Sequence, residues 1–204
     1  YKYWRGADVL EFTSHGYDGY VFDENGNKID FTGYRADCIN DFALEYIENH
    51  NNEKPFFMFL SQLEPHHQND RGHFEGPIES VEKYRDYPIP EDLSFLKGDY
   101  TEEYPDYLAA INRLDENVGK LVNLLKEKGI YDNTVIIYTS DHGCHFKTRN
   151  VEYKRSCHDS CTHTPLVFGG GAVKKAENIS ALVSLIDLPP TLLNIAGITI
   201  PDNY

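Results

Sequence analysis

The sequence predicts an α/β fold in which a layered sheet is flanked by helices. The 204 residues are 40% hydrophobic and 13% aromatic, which is enough apolar material for a packed core. Short apolar runs of strand length alternate with longer stretches whose apolar residues recur at helical spacing, a pattern typical of layered α/β proteins. Two of the apolar runs end abruptly in polar clusters, as strands do where an open α/β sheet binds its ligand.

The first part of the chain predicts a hairpin, a helix and a strand. Asn25 and Gly26 lie between apolar flanks and predict a two-residue hairpin turn. Residues 34–50 predict an amphipathic helix, because apolar side chains recur there every three or four positions. The run KPFFMFLS, residues 54–61, predicts a buried strand. The apolar positions of the helix are Ile39, Phe42, Ala43, Tyr46 and Ile47.

The second part of the chain is dominated by one long helix. Residues 68–104 are rich in Gly, Pro, Asp and Glu, and predict a long loop of the kind that often carries function. Pro105 and Gly129 are expected near the start and just past the end of the helix that follows. After it come a strand at 135–138, a polar segment at 140–164, a short strand and turn in TPLVFGGG, an apolar run in ISALVSLIDL, and a short helix stopped by Gly197.

Charge limits the classes of partner. The chain has 19 Lys and Arg against 33 Asp and Glu, for a formal net charge of −14. Nucleic acid is therefore not an expected partner, because phosphate binding needs a basic face. An anionic substrate would need a local positive site on an acidic surface. No apolar run is long enough to span a bilayer, so no membrane span is expected.

Polar side chains follow two of the predicted strands. Asp141 and His142 come after VIIYT and read either as a helix N-cap beside a surface histidine or as a metal-binding pair. His66 and His67 come after FFMFLS and read either as loop histidines that cap a turn or as anion contacts and proton donors. Gly143 permits a tight turn or the close approach of another backbone.

Positive charge is concentrated between residues 147 and 155. Lys147, Arg149, Lys154 and Arg155 form either a solvated loop or a site for a tetrahedral anion, to which a lysine offers a compact charge. The neighbouring spacing C-x3-C-x-H lacks a second well-spaced pair of ligands. It therefore favours packed or free thiols over a structural zinc site.

Four stretches in this order carry a family resemblance. They are KPFFMFLSQLEPHHQ, YDNTVIIYTSDHG, KRSCHDSCTHTP and SLIDLPPTLLNIAG. Together they resemble the sulfatase family of the alkaline-phosphatase superfamily, over most of the chain. The resemblance implies an alkaline-phosphatase-like catalytic domain for the α/β fold predicted above.

The resemblance implies a metal site at the first polar cluster. Asp141 and His142 match metal ligands of the family, which usually hold calcium. An asparagine often occupies the position of His142, and a nitrogen ligand is atypical for calcium. Mg²⁺ or another divalent ion is therefore kept as an alternative to Ca²⁺.

The resemblance also implies residues that contact sulfate. Lys154 and His66 match the catalytic lysine and histidine of the family, both of which bind the sulfate group. His67 is a second candidate contact to the substrate. His163, two residues before Pro165, matches a position that faces substrate.

Two features expected of the family have no match in this chain, and they indicate that it is part of a domain. Sulfatases oxidise a cysteine of a Cys-x-Pro-Ser-Arg or similar motif to formylglycine, and none of the four cysteines has that context. The early paired aspartates of the metal site have no match either. Residues 1–204 are thus expected to be the middle of a sulfatase catalytic domain, without the N-terminal nucleophile segment and the C-terminal subdomain. The resemblance implies a periplasmic, secreted or lysosomal protein.

The implied activity is hydrolysis of a sulfate ester on a carbohydrate or aryl substrate, with a metal and, in the intact protein, a formylglycine nucleophile. The implied partner is accordingly a sulfated small molecule or glycan. One alternative is a phosphoester or phosphonate hydrolase of the same superfamily. Another is a non-catalytic module that binds sulfated glycans.

Overall fold

The computed structural model describes residues 2–51, 53–173 and 176–202, so the expected domain limits, residues 1 and 204, lie outside the described part. Helices and strands are mixed along the chain, as predicted for an α/β protein. The strands are β1 (Arg5–Gly6), β2 (Asp18–Asp23), β3 (Lys28–Thr32), β4 (Ile136–Thr139) and β5 (Leu166–Gly169). The α-helices are α1 (Leu10–Thr13), α2 (Arg35–Asn49), α3 (Ile78–Val81), α4 (Glu91–Ser94), α5 (Tyr100–Glu127), α6 (Asp159–Thr162) and α7 (Leu188–Ile195).

The predicted hairpin is present, with a longer turn than expected. Strands β2 and β3 pair antiparallel, and β1 joins the free edge of β2 to give a three-stranded sheet. The Gly26 N–H donates to the Asp23 carbonyl, and the Asp23 N–H donates to the Asn27 carbonyl. Three residues therefore form the turn instead of two. Gly26 takes the extra position because its φ of +80° is accessible to glycine at low cost.

Helix α2 confirms the amphipathic pattern of residues 34–50. Its buried face includes Ile39, Ala43 and Ile47, which recur every four residues, within the helical spacing read from the sequence. Ile39 packs with Val21 of β2 and Phe31 of β3 in one small core. The first residue of the helix, Arg35, is also buried.

The strand prediction holds for two of the three apolar runs. β4 and β5 pair antiparallel, with Ile136 opposite Gly169. Residues 54–61 form no regular strand among the described residues, and Phe57 and Phe59 are 63% and 75% exposed. The prediction of a buried strand there was wrong for this chain. A strand exists only by hydrogen bonding to a neighbour, which an apolar run alone does not provide.

The prediction of a long loop at 68–104 was only partly right, because three short helical turns interrupt the irregular segment and α5 begins before its end. This segment contains α3, a 3₁₀ turn, α4 and the start of α5. Phe74 and Leu93 anchor it in an aromatic core with Tyr104, Phe146 and Tyr153. The segment is a packed layer because aromatic side chains distant in sequence cover it.

The long helix α5 ends where Gly129 predicts, but it begins earlier than expected, so that Pro105 lies inside the helix. It begins five residues before Pro105 and ends just before Gly129, whose φ of +69° closes the helix. The short C-terminal helix α7 is likewise followed by Gly197 at a φ of +68°. The apolar run before α7 is exposed, with Ile179 at 78%. Within the described ranges, no helix combines the length and apolarity needed to cross a membrane.

Candidate active site

Three of the residues singled out in the sequence meet around one ammonium group. Lys154 Nζ lies 3.1 Å from His66 Nε2 and 3.2 Å from His142 Nε2. His142 comes from the end of β4, His66 from the segment before α3, and Lys154 from the loop before α6. The packed fold thus joins positions 88 residues apart in the chain.

Backbone contacts determine which nitrogen of each imidazole is free. His66 Nδ1 is 2.6 Å from the His67 carbonyl oxygen, and His142 Nδ1 is 2.8 Å from the Gly143 carbonyl oxygen. A carbonyl accepts only, so Nδ1 carries the proton in both rings. Both Nε2 atoms of the neutral rings are then acceptors aimed at Lys154. An ammonium with three donors fits between them and keeps one donor for a ligand.

The protonation of His66 reflects this environment. Burial, and then the charge of Lys154, lowers the pKa of His66 from its ordinary value of 6.5. At neutral pH the ring is therefore neutral, with Nε2 unprotonated. The Tyr153 hydroxyl is a further donor, 3.0 Å from the same Nε2.

We expect His66 to titrate below pH 6.5 in the folded chain. The unfolded state then takes up the proton first, so the free energy of unfolding should fall as the pH drops through and below that value. Lys154→Met should raise the pKa of His66, since it removes the positive charge of Lys154 next to the ring. NMR titration of the imidazole measures this, with Arg155→Met as a charge-matched control that leaves the pKa unchanged. A midpoint at or above 6.5 in the unsubstituted chain would contradict the assignment.

His145 positions the lysine and was not singled out from the sequence. It is fully buried, its N–H donates to the Tyr153 carbonyl at 2.7 Å, and its Nε2 lies 3.0 Å from the Lys154 carbonyl oxygen. These two bonds tie the loop before Lys154 to the residues after β4. Nothing in the local pattern distinguishes His145 from a surface histidine, so its role appears only in the packed structure.

The loop around His145 is held in an unusual backbone conformation. Phe146, Lys147 and Arg155 have φ angles of 49°, 57° and 64°. Such angles are strained for residues with a side chain. Asp99 stabilises the first two, because its N–H donates to the Phe146 carbonyl and its carboxylate lies 2.5 Å from Lys147 Nζ. The charge of Lys147 is thereby paired with the Asp99 carboxylate.

His67 packs against Tyr153, whose hydroxyl contacts His66. It is 5% exposed, stacks on the Tyr153 ring at 4.7 Å, and meets the Phe74 ring edge-on. Its Nδ1 is 3.3 Å from Asn69 Oδ1. The structure thus places His67 in the aromatic packing that supports Tyr153. A direct contact from His67 to substrate stays a prediction.

Asp141 and His163 lie at the surface. The Asp141 side chain is 81% exposed, and its Oδ1 accepts the His142 N–H at 2.9 Å. His163 follows α6 and is exposed, and in the described part of the chain its ring makes no hydrogen bond to Lys154 or to its two histidine partners. Its contact with substrate also stays a prediction.

The donor set at Asp141 and His142 fits part of a metal site. Asp141 Oδ2 and His142 Nε2 are 3.5 Å apart and could both face one cation. Residues 2–51, 53–173 and 176–202 contain no group of three or more His, Cys, Asp or Glu that could hold a metal. This chain can therefore contribute two ligands, and the remaining ligands would have to come from elsewhere.

Gly143 allows the close backbone approach expected from the sequence. Its N–H donates to the Cys161 carbonyl at 2.8 Å, and a Cβ at this position would lie 2.1 Å from the Ser160 carbonyl oxygen. The contact joins the end of β4 to α6. It also keeps the backbone of His142 next to the loop that precedes α6.

We expect Gly143→Ala to lower the free energy of unfolding by about 1–3 kcal/mol, the usual cost of forcing extra volume into a packed contact. Chemical denaturation measures the loss. Gly119→Ala is the matched control, since it adds the same methyl group in helix α5 where nothing lies within 4 Å. It should stabilise by about 0.5–1 kcal/mol. Equal effects of the two substitutions would show that the backbone contact does not restrict position 143.

A buried ion pair supports the segment that carries His66 and His67. Arg35 Nε lies 2.8 Å from Glu64 Oε1, with both side chains 2% exposed. The same guanidinium donates to Gln68 Oε1 at 3.1 Å. Glu64 and Gln68 therefore hold the segment from both ends against the first turn of α2.

The family model and the curated relatives that match this chain are both sulfatases. The family model described as Sulfatase matches residues 5–198. The chain is 26% identical to the N-acetylglucosamine-6-O-sulfatase of Bacteroides thetaiotaomicron, over 89% of this chain and 46% of that protein. The chain thus spans about half the length of the curated relative it matches.

Solved structures show the same fold. The BT33494S-sulf structure from Bacteroides thetaiotaomicron superposes with a TM-score of 0.83 at 21% identity, over 97% of this chain and 42% of that one. BT4656, solved with its substrate D-glucosamine-2-N,6-O-disulfate, has a TM-score of 0.75 at 24% identity, over 99% of this chain and 56% of that one. These likenesses establish the alkaline-phosphatase-like α/β fold that was predicted. Because the family match runs from residue 5 to residue 198 and includes both histidine-bearing segments and Lys154, this chain belongs to the sulfatase family.

Proposed function

We propose that this chain is the central part of a sulfatase that hydrolyses a sulfate ester on a carbohydrate. The observation that carries the proposal is the Lys154 ammonium, held between two imidazole acceptors with one donor left for an anion. The carbohydrate class is supported by the N-acetylglucosamine-6-O-sulfatase relative and by the structural neighbour that binds a disulfated glucosamine.

The residues present would bind and polarise the sulfate group. Lys154 would neutralise charge on a sulfate oxygen, where a preorganised cation is most effective because it needs no reorientation. His66, with its lowered pKa, would be a stronger acid than an ordinary histidine whenever it is protonated. The protonated ring would therefore be suited to pass its proton to the sugar oxygen as the S–O bond breaks, so that the sugar leaves as an alcohol.

Asp141 and His142 would hold a divalent cation, proposed as Ca²⁺ with Mg²⁺ as the alternative, which would withdraw charge from the sulfate when bound. His142 Nε2 would then give up its contact with Lys154 Nζ, because that nitrogen has a single lone pair, and Lys154 would keep its contact with His66. Their exposure leaves the carboxylate open to such an ion. The attacking nucleophile, proposed to be a formylglycine, would come from residues outside this chain.

The proposal is tested by assaying the longer protein to which we assign this chain. We expect turnover of 6-O-sulfated glucosamine and little turnover of the matching phosphate ester. Preferred hydrolysis of the phosphate or a phosphonate would replace the sulfatase assignment with a phosphoryl hydrolase. Binding of the sulfated sugar without turnover would indicate a non-catalytic module.

We expect the 204-residue chain alone to be inactive towards an aryl sulfate, because it supplies no residue in the context of the family nucleophile. A chromogenic aryl sulfate assay with the purified chain measures this. A heat-inactivated sample provides the background rate. Turnover above that background, retained in the Lys154→Met variant, would point to a contaminant. Turnover lost in that variant would overturn the prediction.

A further inference from the structure

We propose that Tyr153 is a positioning residue that holds His66 in its catalytic orientation through its hydroxyl group. This inference rests on the proposed function and extends it to a residue that the resemblance did not include. The Tyr153 hydroxyl lies 3.0 Å from His66 Nε2, and the two rings are nearly perpendicular, at 87°.

The hydroxyl is the donor in this contact. His66 Nδ1 commits its proton to the His67 carbonyl, so Nε2 of the neutral ring can only accept. Burial raises the pKa of Tyr153 to about 12, so the phenol keeps its proton at any working pH. The hydroxyl therefore donates to Nε2 whenever the imidazole is neutral, and it stays next to that nitrogen as an acceptor when the ring takes up a proton.

Tyr153 and Lys154 reach the same nitrogen, and this gives the hydroxyl its role. The Lys154 ammonium lies 3.1 Å from His66 Nε2. When a sulfate anion binds, its oxygens compete for the protons of that ammonium, because a charged acceptor makes the stronger hydrogen bond. The Tyr153 hydroxyl is neutral, so the sulfate anion attracts it less strongly than it attracts the Lys154 ammonium. It remains on Nε2 and keeps the imidazole aimed at the site while the Lys154 ammonium, without leaving its place, gives its protons to the substrate.

The Tyr153 ring is itself held firmly. It stacks on His67 at 4.7 Å and meets Phe74 edge-on at 5.9 Å. Its backbone carbonyl accepts the N–H of the buried His145. A ring packed against two neighbours, on a backbone held by a hydrogen bond, can place a hydroxyl within the tolerance that catalysis requires.

The first test uses the chain itself. Tyr153→Phe removes one oxygen and keeps the ring that packs on His67. Tyr107→Phe is the matched control, because it removes the same atom from the same aromatic core, where no hydrogen bond to that hydroxyl is present among the described residues. We expect ¹⁵N spectra of the imidazole to show a downfield shift of His66 Nε2 and a second tautomer only in Tyr153→Phe. Identical His66 spectra for the two variants would overturn the proposal.

The second test uses the longer enzyme. Tyr153→Phe should lower kcat by about tenfold while KM changes by less than about twofold, as expected when a catalytic group is misplaced but substrate binding is kept. Tyr107→Phe should leave both unchanged. Equal kcat values for the two variants would overturn the catalytic part of the proposal. If the enzyme shows no activity on sulfate esters, the proposed function fails, and the His66 spectra alone decide whether Tyr153 positions the ring.

Discussion

Lys154→Met is expected to lower kcat/KM for sulfate-ester hydrolysis by about 10²–10³-fold in the longer enzyme, the range measured when one preorganised charge-stabilising donor is removed. Methionine keeps the length and the apolar stem of the side chain but removes the ammonium that lies between His66 and His142. Charge developing on the sulfate oxygens then loses its compensation. Steady-state kinetics on a sulfated glucosamine measure the effect.

The control for this substitution is Arg155→Met, which removes the same charge from the next residue. The Arg155 side chain is 74% exposed and pairs with Glu152, away from the two histidines. The Arg155→Met variant should retain nearly full activity. If both variants lose activity equally, the loss reflects the general positive charge of the loop. Lys154 would then have no specific role.

Arg35→Met is expected to lower the free energy of unfolding by about 3–5 kcal/mol, the cost of leaving one partner of a buried ion pair without its counterion. Glu64 would keep a carboxylate in a site where its side chain is 2% exposed. Among the described residues its second oxygen, Oε2, has no hydrogen-bond partner, although it is buried. Ser14 and Gln68 would also lose a donor. Denaturation by urea measures the change.

Two further variants make this prediction decisive. Arg85→Met breaks an exposed ion pair with Glu82 and should leave stability essentially unchanged. Adding Glu64→Gln to Arg35→Met should restore part of the loss, because it removes the isolated charge. Burial raises the pKa of Glu64, so the loss in Arg35→Met should be smallest at acidic pH, where the folded state takes up a proton. A loss independent of pH and of Glu64→Gln would indicate a packing effect instead.

The parts of the fold that were predictable depend on short-range patterns. Helices α2 and α5 followed from apolar spacing, and the C-terminal ends of α5 and α7 followed from glycines at positive φ. Strands β4 and β5 followed from short apolar runs. In each case the deciding residues lie within a few positions of each other, so no knowledge of the remaining chain is needed.

The predictions that failed concern segments whose structure depends on residues far away in the sequence. Residues 54–61 have the composition of a buried strand, yet Phe59 is 75% exposed, because strand pairing needs a partner distant in sequence. Residues 68–104 have the composition of a loop, yet Phe74 and Leu93 are core residues, because aromatic side chains from α5 and from the loop after β4 surround them.

The same division applies to the candidate site. By itself the sequence determined which residue types could bind an anion or a metal, since His66, His142 and Lys154 stand at ends of apolar runs or in a basic cluster. Only the tertiary structure placed one ammonium between two imidazoles and added His145 and Tyr153 as supports. The physical reason is that hydrogen bonds between residues 88 positions apart depend on the packing of the aromatic core, which no local pattern records.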